Sequence, residues 1–404
     1  MHRPSSLTAA PLPAEPLPQS PADLSGRTIL QVVPELDVGG AETTTVEVAA
    51  AIIAAGGTAL VASEGGALCA PLADMGAETI ILPVASKNPL TMWRNSYRLQ
   101  TLIKQRGVDL VHARSRAPAW SCLFAARRAR IPYMATYHGL VHPRPPLKVF
   151  YNSVLTRGAA VIANSSYTAG LIADVHGVGA EKIKVVPRGC DVAGLAAAQA
   201  EASKVAAKRA QWGVTADDFV IMCPARLTEI KGQDVLIEAL ARMQAPAAVK
   251  LVLVGSAQGR EAYLARLQEL VAAHGLQGRV VFAGLENDMA TAYAASDAAV
   301  VPSTRAEPFG RTIIEAQAAS LPVIASDAGG FRETVVTQPD GQSGWLVTPG
   351  DRAALAATLD QLVSLSDGER ASMGENGRRN AATHFTQDAL CQRTLGVYQG
   401  LLAK

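Results

Sequence analysis

The amino-acid sequence predicts an α/β protein made of two doubly wound parallel sheets, one in each half of the chain. Three observations lead there. Short apolar segments rich in Val, Ile and Ala alternate with helical segments in both halves. A parallel sheet requires that alternation, because each return to the same edge consumes a crossover, usually a helix. The pattern lapses once, over Asp191–Trp212, whose Ala, Lys and Glu carry no strand character and read as the connection between halves.

In the first half, strands are expected at Thr28–Pro34, Ala59–Ala62, Thr79–Leu82, Asp109–His112, Pro132–Tyr137, Ala160–Ala163 and Ile183–Pro187. Gly39 and Gly40 follow the first strand and open an Ala-rich helix, Thr43–Ala55, with Glu42 stabilising its start. Leu90, Trp93, Tyr97 and Leu102 recur at helical spacing in Leu90–Arg106, with Arg94, Arg98 and Lys104 among them. Such a helix suits a membrane interface; it equally suits a surface helix that packs its aromatic stripe on the sheet. The second half repeats the plan. Its strands are Phe219–Cys223, Lys250–Val254, Arg279–Phe282, Ala298–Val301, Pro322–Ala325 and Gly344–Val347. Helices fall at Gly232–Met243, Arg260–His274, Asp288–Ala295, Thr312–Ala319, Arg352–Ser364 and Gln387–Leu402.

The chain of 404 residues is 49% apolar and 18% charged, the balance of a globular enzyme with material for two cores. Its five cysteines are scattered, with no CxxC or Cys/His cluster, which indicates a reducing compartment and no structural metal. No run approaches about 18 consecutive apolar residues, and the N-terminus lacks the apolar core of a signal peptide. A cytoplasmic protein is expected, peripheral at most on the inner membrane face. Residues 1–25 hold six of the 23 prolines and have the composition of a disordered arm. The expected domains are 26–195 and 196–386, followed by a C-terminal helix at 387–404.

The net charge of +2 conceals an imbalance. Between Ser86 and Ala160 there are thirteen Lys and Arg against one acid, Asp109. An anionic partner would account for this: acidic lipid head groups, a phosphorylated acceptor or nucleic acid. Alternatively, acids from distant segments neutralise the stretch. No nucleic-acid-binding motif accompanies the charge.

The richest stretch for chemistry is Asp297–Val335, DAAVVPSTRAEPFGRTIIEAQAASLPVIASDAGGFRETV. A buried strand, a polar loop and a helix start follow one another, an arrangement that holds anionic ligands on unpaired amides. Glu307 in the loop and Glu315 one turn into the helix can face the same ligand. Phe309 and Gly310 bring main-chain amides to the mouth, and Gly310 permits close approach. In PARLTEIKGQDVLIEAL, Pro224–Leu240, Arg226 and Lys231 again lie between a strand and a helix. No D-x-D and no His/Asp ligand spacing occurs, so no metal or other cofactor is expected.

The E-x7-E pair within its PS…E.FG…EA frame resembles the donor-site signature of glycosyltransferase family 4, and the resemblance runs from Thr28 to Leu402. It implies a GT-B architecture, two Rossmann-like domains facing each other across a cleft, with the last helix crossing back to the first domain. Further implications are a retaining hexosyl transfer from a nucleoside-diphosphate sugar, Arg226 and Lys231 on the diphosphate, Glu315 on the ribose and Glu307 on the transferred sugar. Gly39 and Gly40 would lie near the donor phosphate, and His138 in ATYHG at the reaction centre. Asn164-Ser165-Ser166 resembles the family's N-S motif and reads as turn and helix-cap chemistry. IKVVPRGCD, Ile183–Asp191, departs from the family pattern at Arg188, where Asn is usual; this cation is a candidate acceptor ligand. Ser320 and Gln317 are further departures, at positions where glycine and a hydrophobic residue are common.

The segment GVDLVHARSRAPAW…RIPYMATYHG resembles lipopolysaccharide-core and surface-polysaccharide transferases. It implies a donor of the GDP-mannose or UDP-glucose type and an anionic lipid-linked or phosphorylated glycan acceptor. A GT-B sugar-nucleotide epimerase and a catalytically silent nucleotide-sugar-binding protein remain as other readings.

Overall fold

The computed structural model describes residues 13–37, 39–139, 144–244 and 248–403. It divides into two compact units: Met1–Pro187 with Asp388–Lys404, and Arg188–Gln387.

The first unit carries seven strands: β1 (Thr28–Val32), β2 (Thr58–Ser63), β3 (Glu78–Ile81), β4 (Leu110–Ala113), β5 (Tyr133–Tyr137), β6 (Ala160–Ala163) and β7 (Ile183–Val185). Their order is β3-β2-β1-β4-β5-β6-β7, and every pairing is parallel. Six more strands build the second unit: β8 (Phe219–Pro224), β9 (Val249–Val254), β10 (Val280–Gly284), β11 (Ala298–Val301), β12 (Val323–Ser326) and β13 (Gly344–Val347). These are also all parallel, in the order β10-β9-β8-β11-β12-β13. Each expected strand is present. The reason is visible in β1, where Leu30 and Val32 enter one core while Ile29 enters another on the opposite face. A strand covered on both faces reads as a continuous apolar run, which is legible without its neighbours.

Two boundaries differ from the expectation. The second unit begins at Arg188 and not at 196, because Cys190 and the helix Val192–Ala197, through Leu195, join the second core. Of the expected disordered arm, residues 1–12 lie outside the described residues. Residues 13–25 form no regular element, yet they are tied down. The Glu15 amide donates to Val185 O of the edge strand β7 at 2.7 Å, and Arg393 Nε donates to Glu15 O at 2.8 Å. Ala22 and Leu24 are buried. Proline-rich extended chain thus covers a sheet edge that would otherwise present unpaired groups. The C-terminal helix Gln387–Leu402 packs with the first unit.

A buried polar link fixes that helix. His112 of β4 lies 2.7 Å from the Tyr398 hydroxyl through Nδ1 and 2.7 Å from Thr136 Oγ1 through Nε2. Burial, reinforced by the nearby Arg114 charge, pushes the His112 pKa well below its ordinary 6.5. The folded imidazole is therefore neutral, whereas the unfolded one titrates near pH 6.5. Stability is fully present above that value and falls as the pH drops below it, because the unfolded chain then binds the extra proton. Tyr398→Phe strands one ring nitrogen and should cost about 1–3 kcal/mol. Urea melts of the variant and of wild type between neutral and mildly acidic pH check both statements.

Candidate functional site

In the second sheet β8 adjoins β9 on one side and β11 on the other, so successive crossovers leave β8 and β11 in opposite directions. The loops following these two strands thus flank the switch point beyond the carboxyl ends, the usual ligand position in a doubly wound sheet. One loop, after β8, contains Arg226 and Lys231 and leads into the helix Gln233–Arg242. The other, after β11, contains Ser303, Glu307 and Phe309 and leads into the helix Arg311–Ala318. Two helix N-termini border this position.

Backbone contacts hold the loops at a fixed separation. Gly232 has φ +70°, and a Cβ there would stand 2.1 Å from Pro302 O. The Thr304 amide donates to Ile230 O at 2.8 Å. Buried Gln233 donates through Nε2 to Arg226 O at 3.0 Å. Glu307 is tied from behind, where the Gly330 amide donates to its carbonyl at 2.9 Å and Gly329 forms a parallel bridge with it.

These constraints bring Lys231 and Glu307 together. Lys231 Nζ lies 2.7 Å from both carboxylate oxygens of Glu307, and the fully buried Ser303 hydroxyl donates to Oε1. Both charged side chains keep some solvent access. Arg226 starts the same loop as Lys231 and is exposed; among the described residues no ion pair holds its guanidinium. Glu315 receives Arg311 Nε on Oε1 at 2.8 Å and the Tyr293 hydroxyl on Oε2 at 3.1 Å. Tyr293 is completely buried. Burial first, then the Glu315 charge, pushes its phenol well above the usual range, so it remains a donor. Each Glu315 oxygen retains a second lone pair for a ligand hydroxyl. The Phe309 ring is buried 5.7 Å from Phe385, leaving its main chain as the part available to a ligand. Gly310 caps the helix at φ +102°, and a Cβ would meet the Phe331 ring at 2.5 Å.

The remaining candidates belong elsewhere. Gly39 and Gly40 open the helix Gly40–Ala54 in the first unit, with Gly39 as its N-cap. His138 directly follows β5 and is half-buried. Ser165 caps the helix Ser166–His176 by accepting from the Thr168 amide at 3.0 Å, as its motif suggested. His112 and His142 have weaker sequence claims than His138; the first serves the link to Tyr398, and the second lies outside the described residues. Arg188 is half-buried where the second unit begins. Among the described residues no group of three or more His, Cys, Asp or Glu is placed to hold a metal ion.

Sequence reasoning did not find Ser303, Tyr293 or the role of Arg311. Only the i,i+4 spacing of Arg311 and Glu315 carried a signal. On the expectation that Glu315 holds the donor ribose, Tyr293→Phe should raise the donor KM about 5- to 10-fold with kcat nearly unchanged, since one hydrogen bond to that carboxylate is lost. Steady-state kinetics separate the two constants.

Comparison with known families gives this geometry its context. Residues 38–193 match the model described as Glycosyltransferase Family 4, and residues 204–380 that of Glycosyl transferases group 1. A D-inositol 3-phosphate glycosyltransferase of Xylanimonas cellulosilytica is 31% identical over 305 residues, covering 72% of this chain and 71% of the relative. A solved glycosyltransferase from Rickettsia africae superposes with a TM-score of 0.85 at 31% identity, over 93% of this chain and 98% of the other. HepE from Anabaena, crystallised in complex with UDP-glucose, gives 0.78 at 28% identity, over 92% and 99%. These matches overturn the epimerase reading, and the silent-binder reading gives way to that of an enzyme. The chain belongs to glycosyltransferase family 4 and is a glycosyltransferase of GT-B architecture.

Proposed function

We propose that this enzyme transfers a hexose, with retention, from a nucleoside-diphosphate sugar to a phosphate-bearing acceptor, without a metal ion. One observation carries the donor part: two cations on one loop, Arg226 and Lys231, border two helix N-termini and two glutamates at the switch point of the second sheet. In this reading the diphosphate takes Lys231 from Glu307 and engages the exposed Arg226. The guanidinium offers a planar fork and the ammonium a point charge to the leaving group. Glu315 accepts from the ribose diol, while Glu307, released from Lys231, accepts from the sugar. Phe309 and Gly310 contribute main-chain groups. Gly39, Gly40 and His138 serve the donor phosphate and the reaction centre from the first unit, and Arg188 serves the acceptor.

The crystallised UDP-glucose complex of HepE supports a donor of the UDP-glucose type. The acceptor class rests on the relatives named for D-inositol 3-phosphate. Those names favour a phosphorylated polyol over the lipopolysaccharide core expected from sequence. No protein nucleophile is assigned. A departing phosphate oxygen takes the acceptor's proton on the face that the leaving group vacates, while the two cations hold the developing charge.

Incubation with UDP-, GDP- and ADP-sugars, with and without inositol phosphates, tests the proposal by nucleotide release. Release should depend on the acceptor and persist in EDTA. Strong EDTA sensitivity would defeat the metal-free part, and absence of release from every donor the rest.

A further inference from the structure

The basic stretch of the first unit has a structural counterpart that the transfer reaction does not use. Of its thirteen cations, all but Arg114 are exposed, and among the described residues only Arg106 forms an ion pair, with Glu78. The stretch's single acid, Asp109, pairs with Arg27 outside it. Distant segments therefore leave most of the exposed charge without an ion pair among the described residues.

The same surface carries apolar side chains. Six of the ten large hydrophobics exposed among the described residues lie here: Leu90, Trp93, Tyr97, Phe124, Leu147 and Phe150. The helix Pro89–Arg106 packs inward through Asn95, Ser96, Leu99 and Ile103, so its aromatic stripe faces solvent, with Trp93 58% exposed. Continuity along the surface is shown by contacts. Trp93 and Tyr97 meet at 4.8 Å, and Arg128 of the helix Arg116–Ala129 covers the Tyr97 ring at 4.2 Å. On that second helix, Phe124 lies one turn before Arg128. Trp120 stacks near Phe124 and Phe150, and Arg157 covers Trp120 and Phe150.

We propose that this face docks on an anionic lipid bilayer, the cations meeting head groups while Leu90, Trp93, Leu147 and Phe150 enter the acyl boundary. Cations interleaved with exposed Trp, Tyr and Leu match that boundary chemically. Nucleic acid fits less well. Guanidinium groups already cover the Tyr97, Trp120 and Phe150 rings on which bases would stack, and exposed leucines such as Leu147, 84% exposed, gain nothing from a phosphodiester. Among the described residues no helix is long and apolar enough to cross a membrane, so the contact is peripheral.

Co-sedimentation of the full chain with phosphatidylcholine vesicles, with and without phosphatidylglycerol, tests the inference and requires no sugar nucleotide. Its failure would therefore leave the donor assignment standing. Binding is expected only to the anionic vesicles, with a blue shift of tryptophan emission that is smaller in W93F. Replacing Arg94 and Arg98 by Gln should weaken binding about 30-fold. L90A/W93A/L147A should weaken it at least about tenfold. These side chains are exposed, so thermal melts should match wild type. Equal binding to neutral vesicles, full retention by the apolar triple variant, displacement by inorganic phosphate, or comparable affinity for single-stranded DNA would each overturn it.

Discussion

Replacing Lys231 with Ala lowers nucleotide release by about 10²–10³-fold at saturating donor, the cost of losing one preorganised group that stabilises developing charge. The effect has two sources. In the proposed reaction the leaving diphosphate loses its point charge, and Glu307 loses the ammonium that lies 2.7 Å from each of its oxygens. Glu307→Gln separates the two. It removes the competing anion from Lys231 while keeping a similar shape, so donor affinity should hold or improve while kcat falls. Lys231→Ala should lose both. Isothermal titration with the free nucleoside diphosphate, beside single-turnover kinetics, distinguishes these outcomes. Unchanged kcat in Lys231→Ala would remove the cation from the mechanism, and Arg226→Ala should add to its loss because the two cations share one loop.

Gly232→Ala should destabilise the second unit by about 2–5 kcal/mol. A left-handed backbone costs a non-glycine residue roughly 1–2 kcal/mol. Overpacking adds about 1–3 kcal/mol, since the new methyl would lie 2.1 Å from Pro302 O, a backbone atom that cannot rotate aside. Relief requires the loops after β8 and β11 to separate, which moves Lys231 away from Glu307. Donor affinity should therefore fall along with the unfolding temperature. Gly259→Ala is the matched control: its φ is +82°, but no atom lies within 4 Å of the added methyl. It should show the backbone cost without the loss of donor binding. Calorimetry with and without nucleotide measures both effects.

One long helix, Asp367–His384, escaped the sequence reading, and its packing explains why. Its buried positions are Met373, Gly374, Gly377 and Ala381, and the last three are small residues that permit close approach without producing an apolar stripe. A Cβ on Gly374 would meet Ser320 O at 2.0 Å. Ser320 itself sits at φ +57°, the conformation that favours the glycine common in the family. The other departure, Gln317, is fully buried and satisfied. Its amide donates to Thr334 O and Ser343 Oγ, and it accepts from Asn380 of the long helix. Only the capping box Ser366–Glu369 announced that helix locally.

The sequence by itself determined the thirteen strands, the parallel character of both sheets and the loops that carry the cations and glutamates. These follow from local rules: a strand buried on both faces is apolar throughout, and a helix start after a strand exposes amides. The fold alone decided that Lys231 meets a glutamate 76 positions away, that Tyr293 and Ser303 aim the two carboxylates, and that the aromatic stripe of the first unit turns outward. Each of these depends on which strands become neighbours and which helix face finds a partner. No periodicity within a segment encodes that, because the atoms that decide it belong to another part of the chain.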